Sequence, residues 1–296
     1  VSWARDVYKR QIVYLPLFSA IFVPMNEFQT TKQWLATELG SYYSREEAEC
    51  IARILLEEAF GQPYPMLVVS DGKVNQKIGL LKGWLSRLLA HEPLQYVLGH
   101  ISFCGMDLYV GSGVLVPRPE TEELCHIIRS RGFLFPGATT IDLCTGSGAI
   151  ALFMAKCGAK VEAIELSGQA LSVAEKNINR YGYEIDLQQA DLFDLHFSPK
   201  HSQYDLVVSN PPYVLYSERV AMEPHVLESE PEMALFVPDD DPIIFYRRIK
   251  ELYHSSKVLA FEINPLCVDE LRRLFCDREV EFIEDFNGKT RYLIVT

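Results

Sequence analysis

The chain has 296 residues, of which 48% are hydrophobic and 23% charged, so it is a globular protein of one large or two ordinary domains and not a disordered chain. Its formal net charge of -12 disfavours a protein that grips long nucleic acid through phosphates. The seven cysteines form no C-x-x-C pair, so we expect no disulfide framework, no metal site and a reducing, cytoplasmic setting.

Residues 1–24 require separate treatment. Three basic residues precede the apolar run from Ile12 to Val23, an order that resembles a secretory signal. Pro16 interrupts that run, no small-x-small cleavage site follows, and Met25 begins an ordinary N-terminal sequence. We therefore expect residues 1–24 to be an extraneous leader, with a signal peptide or a genuine helix as the alternatives.

Residues 25–100 predict a small helical domain. The sequence from Ser44 to Glu47 is a capping box, and apolar residues follow it with three-and-four spacing as far as Gly61. A second periodic run extends from Val74 to Leu89. Because the segment contains no catalytic constellation, its candidate roles are packing and recognition of a partner or substrate.

The hydrophobic period changes to two between Ile101 and Val116, which predicts a β-hairpin and makes residues 101–118 a linker. Pro119 is suited to the first turn of a helix, and the acidic residues after it are suited to the positive end of the helix dipole. We expect the next domain to occupy residues 119–296.

A βαβ unit follows. Thr139–Leu143 predicts a strand, and Lys160 to Glu165 predicts a second strand that ends in a carboxylate, with a glycine-rich turn and a helix between them. Small residues in the turn let its backbone approach a ligand closely, and the helix N-terminus offers free N–H groups to a carboxylate or phosphate. The carboxylate at the end of the second strand is placed to bind ribose hydroxyls. The residues expected to bind a cofactor here are Asp142, Cys144, Thr145, Gly146, Ser147, Gly148 and Glu165.

The glycine spacing alone does not distinguish an adenosine-containing methyl donor from a nicotinamide cofactor, because Ala151 is tolerated in the dehydrogenase fingerprint. After the next helix and strand come Asp191 and Leu192. Asp191 is placed to accept from an adenine amino group and Leu192 to pack on the ring. Alternatively, Asp191 only caps the following turn.

The apolar run from Leu206 to Val208 predicts a buried strand that ends at Asn210-Pro211-Pro212-Tyr213. Prolines lack N–H donors, so the Asn210 side-chain oxygen and the neighbouring carbonyls form a cluster of acceptors suited to an incoming –NH2. Tyr213 can stack on a planar group. A plain turn is the alternative, but hydride transfer has no use for such a cluster, which disfavours the nicotinamide cofactor.

These elements predict an α/β fold with a doubly wound, Rossmann-like sheet that later helices and strands complete as far as Tyr292. In such a sheet the first and fourth strands flank the topological switch point, so we expect the glycine-rich turn and Asn210 to meet at one crevice. The intervening residues 214–242 are acidic and interrupted by proline, and we expect a lid or a substrate-docking loop, with plain solvated acidity as the alternative. Its acidic residues are Glu218, Glu223, Glu228, Glu230, Glu232, Asp239, Asp240 and Asp241.

The chain resembles class I S-adenosylmethionine-dependent methyltransferases that act on a planar –NH2. The resemblance rests on four features in this order: the glycine-rich turn, Glu165, Asp191 and Asn-Pro-Pro-Tyr. More narrowly, the chain resembles the peptide chain release factor glutamine methyltransferases in its helical prefix, in Glu92 to Gly99 and in Val116 to Glu122. This resemblance extends from about residue 27 to the end. This resemblance implies S-adenosyl-L-methionine as cofactor and the glutamine of the release factor GGQ loop as methyl acceptor. It further implies Asn210, Pro211, Pro212 and Tyr213 as catalytic residues, with Asn210 also near the cofactor.

The chain departs from that family at Cys144, where glycine is usual, at Leu192, where an aromatic residue is usual, and in residues 262–267, where a Glu-x-Gly-x-x-Gln pattern is usual. Three alternatives stay open. A ribosomal protein glutamine methyltransferase typically has serine at the position of Pro119, and an adenine-amino methyltransferase of DNA or RNA must hold a phosphate backbone. A non-enzymatic adenosine-binding module leaves Asn210 to Tyr213 unexplained. We expect a monomer without a membrane or nucleic acid partner.

Overall fold

The computed structural model describes residues 25–70, 72–222 and 224–296, and the chain divides into two compact units, residues 1–81 and 82–296. The expected leader at residues 1–24 lies outside the described residues. In those that are described, no helix is both long and apolar enough to cross a membrane.

The first unit is helical. In chain order it contains α1 (Glu27–Leu39), α2 (Arg45–Phe60), α3 (Tyr64–Val69), a 3₁₀ turn (Val74–Gln76) and the start of α4 (Ile78–Leu89), which continues into the second unit. The predicted capping box at Ser44 is confirmed, since its hydroxyl accepts from the Glu47 N–H while the Glu47 carboxylate binds the Ser44 N–H. The buried faces of α1 and α2 pack together, with Phe28 edge-on against Phe60 at 5.0 Å.

The second unit begins with α5 (Leu94–Leu98) and a hairpin of β1 (His100–Phe103) and β2 (Met106–Tyr109). The hairpin was predicted, but its strands are shorter than the predicted span. Cys104 and Gly105 both have positive φ, 49° and 68°, which is the backbone geometry of a tight two-residue turn. Residues 110–118 form no strand.

Along the rest of the second unit the elements are α6 (Pro119–Ser130), β3 (Thr139–Leu143), α7 (Ala149–Lys156), β4 (Lys160–Glu165), α8 (Gly168–Tyr181), β5 (Ile185–Gln189), β6 (Leu206–Ser209), β7 (Val214–Leu215), α9 (Pro224–Ser229), β8 (Phe236–Val237), α10 (Ile244–Tyr253), β9 (Val258–Glu262), α11 (Val268–Leu274), β10 (Val280–Glu284) and β11 (Thr290–Val295).

Seven of these strands form one sheet in the order β10-β11-β9-β6-β3-β4-β5, which confirms the predicted doubly wound α/β fold. The strands β3, β4, β5, β6 and β9 are parallel. β11 is antiparallel to both of its neighbours, β10 and β9. The turn that joins β11 to β10 is too short for a parallel crossover. β3 and β6 lie side by side, so chain connections leave them in opposite directions and open a crevice at their carboxyl ends.

Successive residues of β6 point to opposite faces of the sheet, which explains its unbroken apolar sequence. Leu206 and Val208 belong to a core shared with α6, α7 and the hairpin, whereas Val207 belongs to a core shared with α10 and α11. Both faces of the sheet are therefore covered by helices.

A buried asparagine joins the hairpin to the glycine-rich turn. Asn177 of α8 is fully buried; its Oδ1 accepts from the Tyr109 N–H at 2.7 Å, and its Nδ2 donates to the Tyr109 carbonyl at 3.0 Å and to the Ser147 carbonyl at 2.9 Å. All three hydrogen bonds go to backbone groups, so one side chain fixes a strand edge and the turn together.

The acidic residues 214–242 are not a structureless loop. They contain β7, α9 and β8 and two 3₁₀ turns, Tyr216–Ala221 and Glu232–Ala234. β7 and β8 pair in parallel, and the ring of Tyr216 stacks on that of Phe236 at 5.2 Å. Most of the acidic side chains form a hydrogen bond or an ion pair with another residue of the protein, although Glu228, Glu232 and Asp239 are exposed. These pairs are Glu218 with Asn264, Glu228 with His91, Glu230 with Arg118, Glu232 with Arg219, Asp239 with the Ser217 N–H and Asp241 with Arg247. Glu223 lies outside the described residues.

Candidate active site

The glycine-rich turn between β3 and α7 has a left-handed backbone at three positions. Cys144, Gly146 and Gly148 have φ of 60°, 58° and 79°. A side chain disfavours this region, so Cys144 stands where glycine is the natural residue, and its departure from the family pattern falls at a strained position. The turn closes on itself through a bond from the Gly148 N–H to the Thr145 carbonyl.

Asp142 lies beneath the turn and does not line the cavity described below. It is fully buried, and its Oδ2 accepts from the Thr145 hydroxyl at 2.5 Å and the Ala151 N–H at 3.0 Å. Its Oδ1 is buried without a hydrogen-bond partner in the described residues. Asp142 therefore supports the turn and the first turn of α7, and the structure does not bring it to the predicted ligand.

Burial raises the pKa of Asp142 to about 7, more than its two hydrogen bonds lower it. Because the folded pKa lies above the ordinary value of 3.8, the free energy of unfolding falls as pH rises from about 4 through about 7. We expect Asp142→Asn, which carries no charge, to gain stability relative to the wild type as pH rises. Urea unfolding of both proteins at pH 5 and pH 8 measures this difference.

The matched variant Asp142→Ala removes the acceptor as well as the charge. It leaves the Thr145 hydroxyl and the Ala151 N–H unpaired, so we expect a loss of about 1–3 kcal/mol for each group at both pH values. A stability difference between wild type and Asp142→Asn that does not change with pH would contradict the assignment of a buried, hard-to-ionise carboxyl group.

Glu165, at the end of β4, faces the turn. Its Oε2 accepts from the Gly146 N–H at 2.8 Å and its Oε1 from the Ser167 N–H at 2.9 Å, and the side chain is 9% exposed. The carboxylate thus fixes the conformation of the turn and also borders the cavity. In contrast to Asp142, it is open to a ligand.

One cavity lies at the carboxyl ends of β3, β4 and β6, the edge at which doubly wound sheets bind their ligands. It brings together nine of the predicted site residues: Cys144, Thr145, Gly146, Ser147, Glu165, Asp191, Leu192, Asn210 and Pro212. Asp142, Gly148, Pro211 and Tyr213 are not among its lining residues. The predicted meeting of the glycine-rich turn and Asn210 at the switch point is therefore observed.

Asp191 and Leu192 form one end of this cavity. The Oδ1 of Asp191 accepts from the Phe193 N–H at 2.8 Å, so the side chain does cap the following turn, and the residue is exposed at the cavity. Leu192 is buried and held in place by a bond from the Arg248 guanidinium to its carbonyl at 2.6 Å. Capping and ligand contact are compatible, since the cap uses only one carboxylate oxygen.

At the other end, Asn210 belongs to a chain of polar contacts. Its Nδ2 donates to the Thr121 hydroxyl at 3.0 Å, and the Thr121 hydroxyl donates to Glu262 Oε2 at 2.8 Å. The Tyr213 hydroxyl donates to Glu262 Oε1 at 2.7 Å. Tyr213 therefore points to a buried carboxylate and not into the cavity, where stacking on a planar group was expected. Burial raises the pKa of the Tyr213 hydroxyl and of the Glu262 carboxyl.

Sequence reasoning missed several residues of the site. Thr121 was seen only as part of a helix start, and Glu262 only as part of a motif. The remaining residues are apolar or small and carry no local signal; those that line the cavity include Gly113, Val114, Leu115, Met233, Ala234 and Phe245. Met233 and Ala234 come from the acidic segment, which accordingly forms one wall of the cavity.

The residues present fit an adenosine-containing methyl donor. The apolar part of the lining, including Leu192 and Phe245, is suited to a purine ring, Glu165 to ribose hydroxyls, and the small residues Gly146 and Ser147 to a close approach of the backbone.

The sheet and this cavity define an S-adenosylmethionine-dependent methyltransferase. In agreement, the family described as "Methyltransferase domain" matches residues 141–223. The solved structure of the hMettl16 catalytic domain in complex with MAT2A 3'UTR hairpin 6 superposes with a TM-score of 0.52 over 68% of this chain and 80% of that chain. At 14% identity this likeness shows the shared fold alone.

The family described as "PrmC N-terminal domain" matches residues 32–99. The release factor glutamine methyltransferase of Bacteroides thetaiotaomicron is 41% identical over 72% of this chain and 79% of its own length. That of Flavobacterium psychrophilum is 36% identical over 86% of this chain and 90% of its own length. The chain belongs to the release factor glutamine methyltransferase family.

Proposed function

We propose that the protein transfers the methyl group of S-adenosylmethionine to the side-chain amide nitrogen of the glutamine in the GGQ loop of peptide chain release factors. The observation that carries this proposal is the setting of Asn210. Its Nδ2 is bound to Thr121, its Oδ1 accepts no hydrogen bond from the described residues, and the side chain borders the cavity that fits the methyl donor.

A glutamine amide nitrogen is a poor nucleophile because its lone pair is delocalised into the carbonyl. In this proposal Asn210 Oδ1 accepts one of its two hydrogens. The Pro211 carbonyl, between the lining residues Asn210 and Pro212, accepts the other, and together they orient the lone pair towards the cofactor. S-adenosylmethionine, when bound, supplies an electrophilic methyl group. Because no strong base is needed for the attack, positioning supplies most of the acceleration, and it can contribute about 7–11 kcal/mol in favourable cases.

Glu165 is proposed to bind the ribose hydroxyls of the cofactor. We expect Glu165→Ala to weaken S-adenosylmethionine binding about 100-fold, since it removes a charge-assisted acceptor and also frees the Gly146 and Ser167 N–H groups that hold the turn. Isothermal titration of wild type and variant with the cofactor alone measures the change. Glu175→Ala, at an exposed position on α8, is the matched control. Equal affinity in wild type and Glu165→Ala would refute the assignment.

The methyl acceptor is identified by incubating the protein with labelled S-adenosylmethionine and, separately, release factors, ribosomal proteins or DNA. We expect label in the release factor, on the glutamine of the GGQ loop as located by peptide mass spectrometry. Label in a ribosomal protein or in adenine would assign one of the alternative acceptors and overturn the proposal.

We further propose that residues 25–100 form the domain that recognises the release factor. The match of residues 32–99 to a domain of this family supports that role, as does the lack of a catalytic constellation there. We also propose that the protein is a monomer that acts in the cytoplasm without direct nucleic acid contact. The acidic net charge and seven free thiols support this proposal, and sedimentation of the protein with and without release factor tests the monomer.

A further inference from the structure

Glu262 is a buried acid that the transfer reaction itself does not use. Only 1% of the residue is exposed, yet both carboxylate oxygens have partners: Oε1 accepts from Tyr213 and Oε2 from Thr121. Its backbone carbonyl accepts from the Tyr246 hydroxyl at 3.0 Å. The group comes from the end of β9, the strand beside β6, so the sheet itself holds it against the Asn-Pro-Pro-Tyr segment.

We propose that Glu262 is a positioning residue that sets the direction of the hydrogen bonds from itself through Thr121 to Asn210, and thereby keeps Asn210 Oδ1 turned to the methyl acceptor. The inference rests on the proposed function for its consequence in catalysis. The direction of these hydrogen bonds follows from the donor and acceptor groups of Glu262, Thr121 and Asn210.

The hydroxyls of Tyr213 and Thr121 both donate to Glu262, one to each carboxylate oxygen, and both hydrogen bonds favour the ionised form, which has no hydrogen to give. The Thr121 hydroxyl has a single hydrogen, and Glu262 takes it. Only an oxygen lone pair then remains for Asn210. The asparagine must present its Nδ2 to Thr121, which leaves Oδ1 for the cavity. Burial is the largest influence on the pKa of Glu262 and raises it, whereas the hydrogen bonds from Tyr213 and Thr121 and the charge of Arg291 lower it.

The orientation matters because the two ends of an asparagine amide have opposite hydrogen-bonding character. Oδ1 accepts from an incoming –NH2, but a flipped amide presents its own N–H hydrogens to that group and repels it. The two orientations have nearly the same shape, so packing alone selects weakly between them. Because the Thr121 hydroxyl donates to Glu262, it selects the orientation in which Asn210 Nδ2 faces Thr121.

Glu262→Gln tests this reasoning because it preserves shape and replaces one acceptor oxygen with a donor. A glutamine Nε2 directed at Thr121 lets the Thr121 hydrogen turn to Asn210 and favours the flipped amide. We expect kcat for the release factor to fall about 100-fold, the scale of a misplaced reacting group, while the Kd of S-adenosylmethionine stays within about twofold of the wild-type value. Glu284→Gln, an exposed acid on β10, is the control.

Variants of Thr121 keep the proposal falsifiable if Glu262→Gln fails to fold. Thr121→Val, similar in shape but without the hydroxyl, is expected to lose kcat as Glu262→Gln does. Thr121→Ser restores the hydroxyl and is expected to recover most of that loss. The double variant Glu262→Gln/Thr121→Val is expected to lose no more than the larger single loss, because both substitutions act through Asn210. Equal kcat in Thr121→Val and Thr121→Ser would overturn the proposal.

A readout that needs no methyl acceptor separates this proposal from the proposed function. The side-chain amide resonances of Asn210 are identified in a ¹⁵N spectrum by their loss in Asn210→Ala. We expect Glu262→Gln and Thr121→Val to shift them, because the Nδ2 hydrogen bond changes, and Glu284→Gln to leave them in place. Unshifted resonances refute the hydrogen-bond direction whatever the substrate is. Shifted resonances in a protein that does not methylate release factors refute only the proposed function.

Discussion

Replacement of Asn210 by alanine is expected to lower kcat about 100- to 1000-fold, the loss that follows removal of one preorganised hydrogen-bonding group. The physical reason is that the acceptor of one amide hydrogen disappears, so the nitrogen lone pair is no longer held towards the methyl group. Binding of S-adenosylmethionine should largely survive, because most of the lining that fits the cofactor comes from other residues. Single-turnover methylation and cofactor titration measure the two effects separately.

Asn179→Ala provides the matched control for that experiment, since Asn179 is an exposed asparagine on α8. It should retain wild-type kcat. Full activity in Asn210→Ala would show that the –NH2 group is held elsewhere, and the role assigned to the Asn-Pro-Pro-Tyr segment would fail. A loss of cofactor binding as large as the loss of kcat would instead make Asn210 mainly a cofactor ligand.

Replacement of Arg118 by alanine is expected to cost about 3 kcal/mol of unfolding free energy at neutral pH. Glu230 is 4% exposed, and Arg118 Nη2 donates to both of its oxygens, at 2.7 and 2.8 Å. Removing one partner of a buried pair leaves an uncompensated charge; the value is at the low end of the usual range because the Arg118 side chain is 34% exposed. Chemical denaturation of both proteins measures the loss.

The pH dependence of that loss identifies its cause. Burial already raises the pKa of Glu230 while Arg118 lowers it, so the variant should have a higher folded pKa than the wild type. Folding then favours the protonated acid, and the loss should be smaller at pH 5 than at pH 8. Adding Glu230→Gln should recover part of it.

Arg219→Ala is the contrasting variant. Its ion pair with Glu232 is exposed on both sides, so we expect a change below about 1 kcal/mol. If Arg118→Ala were equally mild at both pH values, the pair would not anchor the wall of the cavity. In that case α9 would have to be held mainly by other contacts, such as that of Ser229 with the His91 carbonyl.

The sheet could be predicted because its signals are local. The strands Thr139–Leu143 and Lys160–Glu165 have the predicted bounds, since each carries β-branched residues and they enclose a glycine-rich turn and a helix. The short helix and the two short strands within residues 214–242 could not be predicted, because their order depends on distant partners. Arg118 and Glu230 are 112 residues apart in the chain, and no local pattern encodes such a pair.

The same distinction applies to the site. Asn210, Glu165 and the glycine-rich turn stand at strand ends, where topology alone brings them together. Thr121 is 89 residues from Asn210 and 141 from Glu262. A sequence reveals that these residues are polar, but it does not reveal which of them share a hydrogen. The side chains that hold the site were therefore harder to predict than those that face the ligand.

Asn177 makes the hairpin and the glycine-rich turn thermodynamically dependent on each other. The same amide binds the Ser147 carbonyl and both backbone groups of Tyr109, so disorder at either place costs hydrogen bonds at the other. A ligand that orders the turn stabilises the hairpin by the same free energy with which an ordered hairpin strengthens binding of that ligand. Ligand binding in the cavity and ordering of β2, which lies outside the cavity, are thus thermodynamically linked.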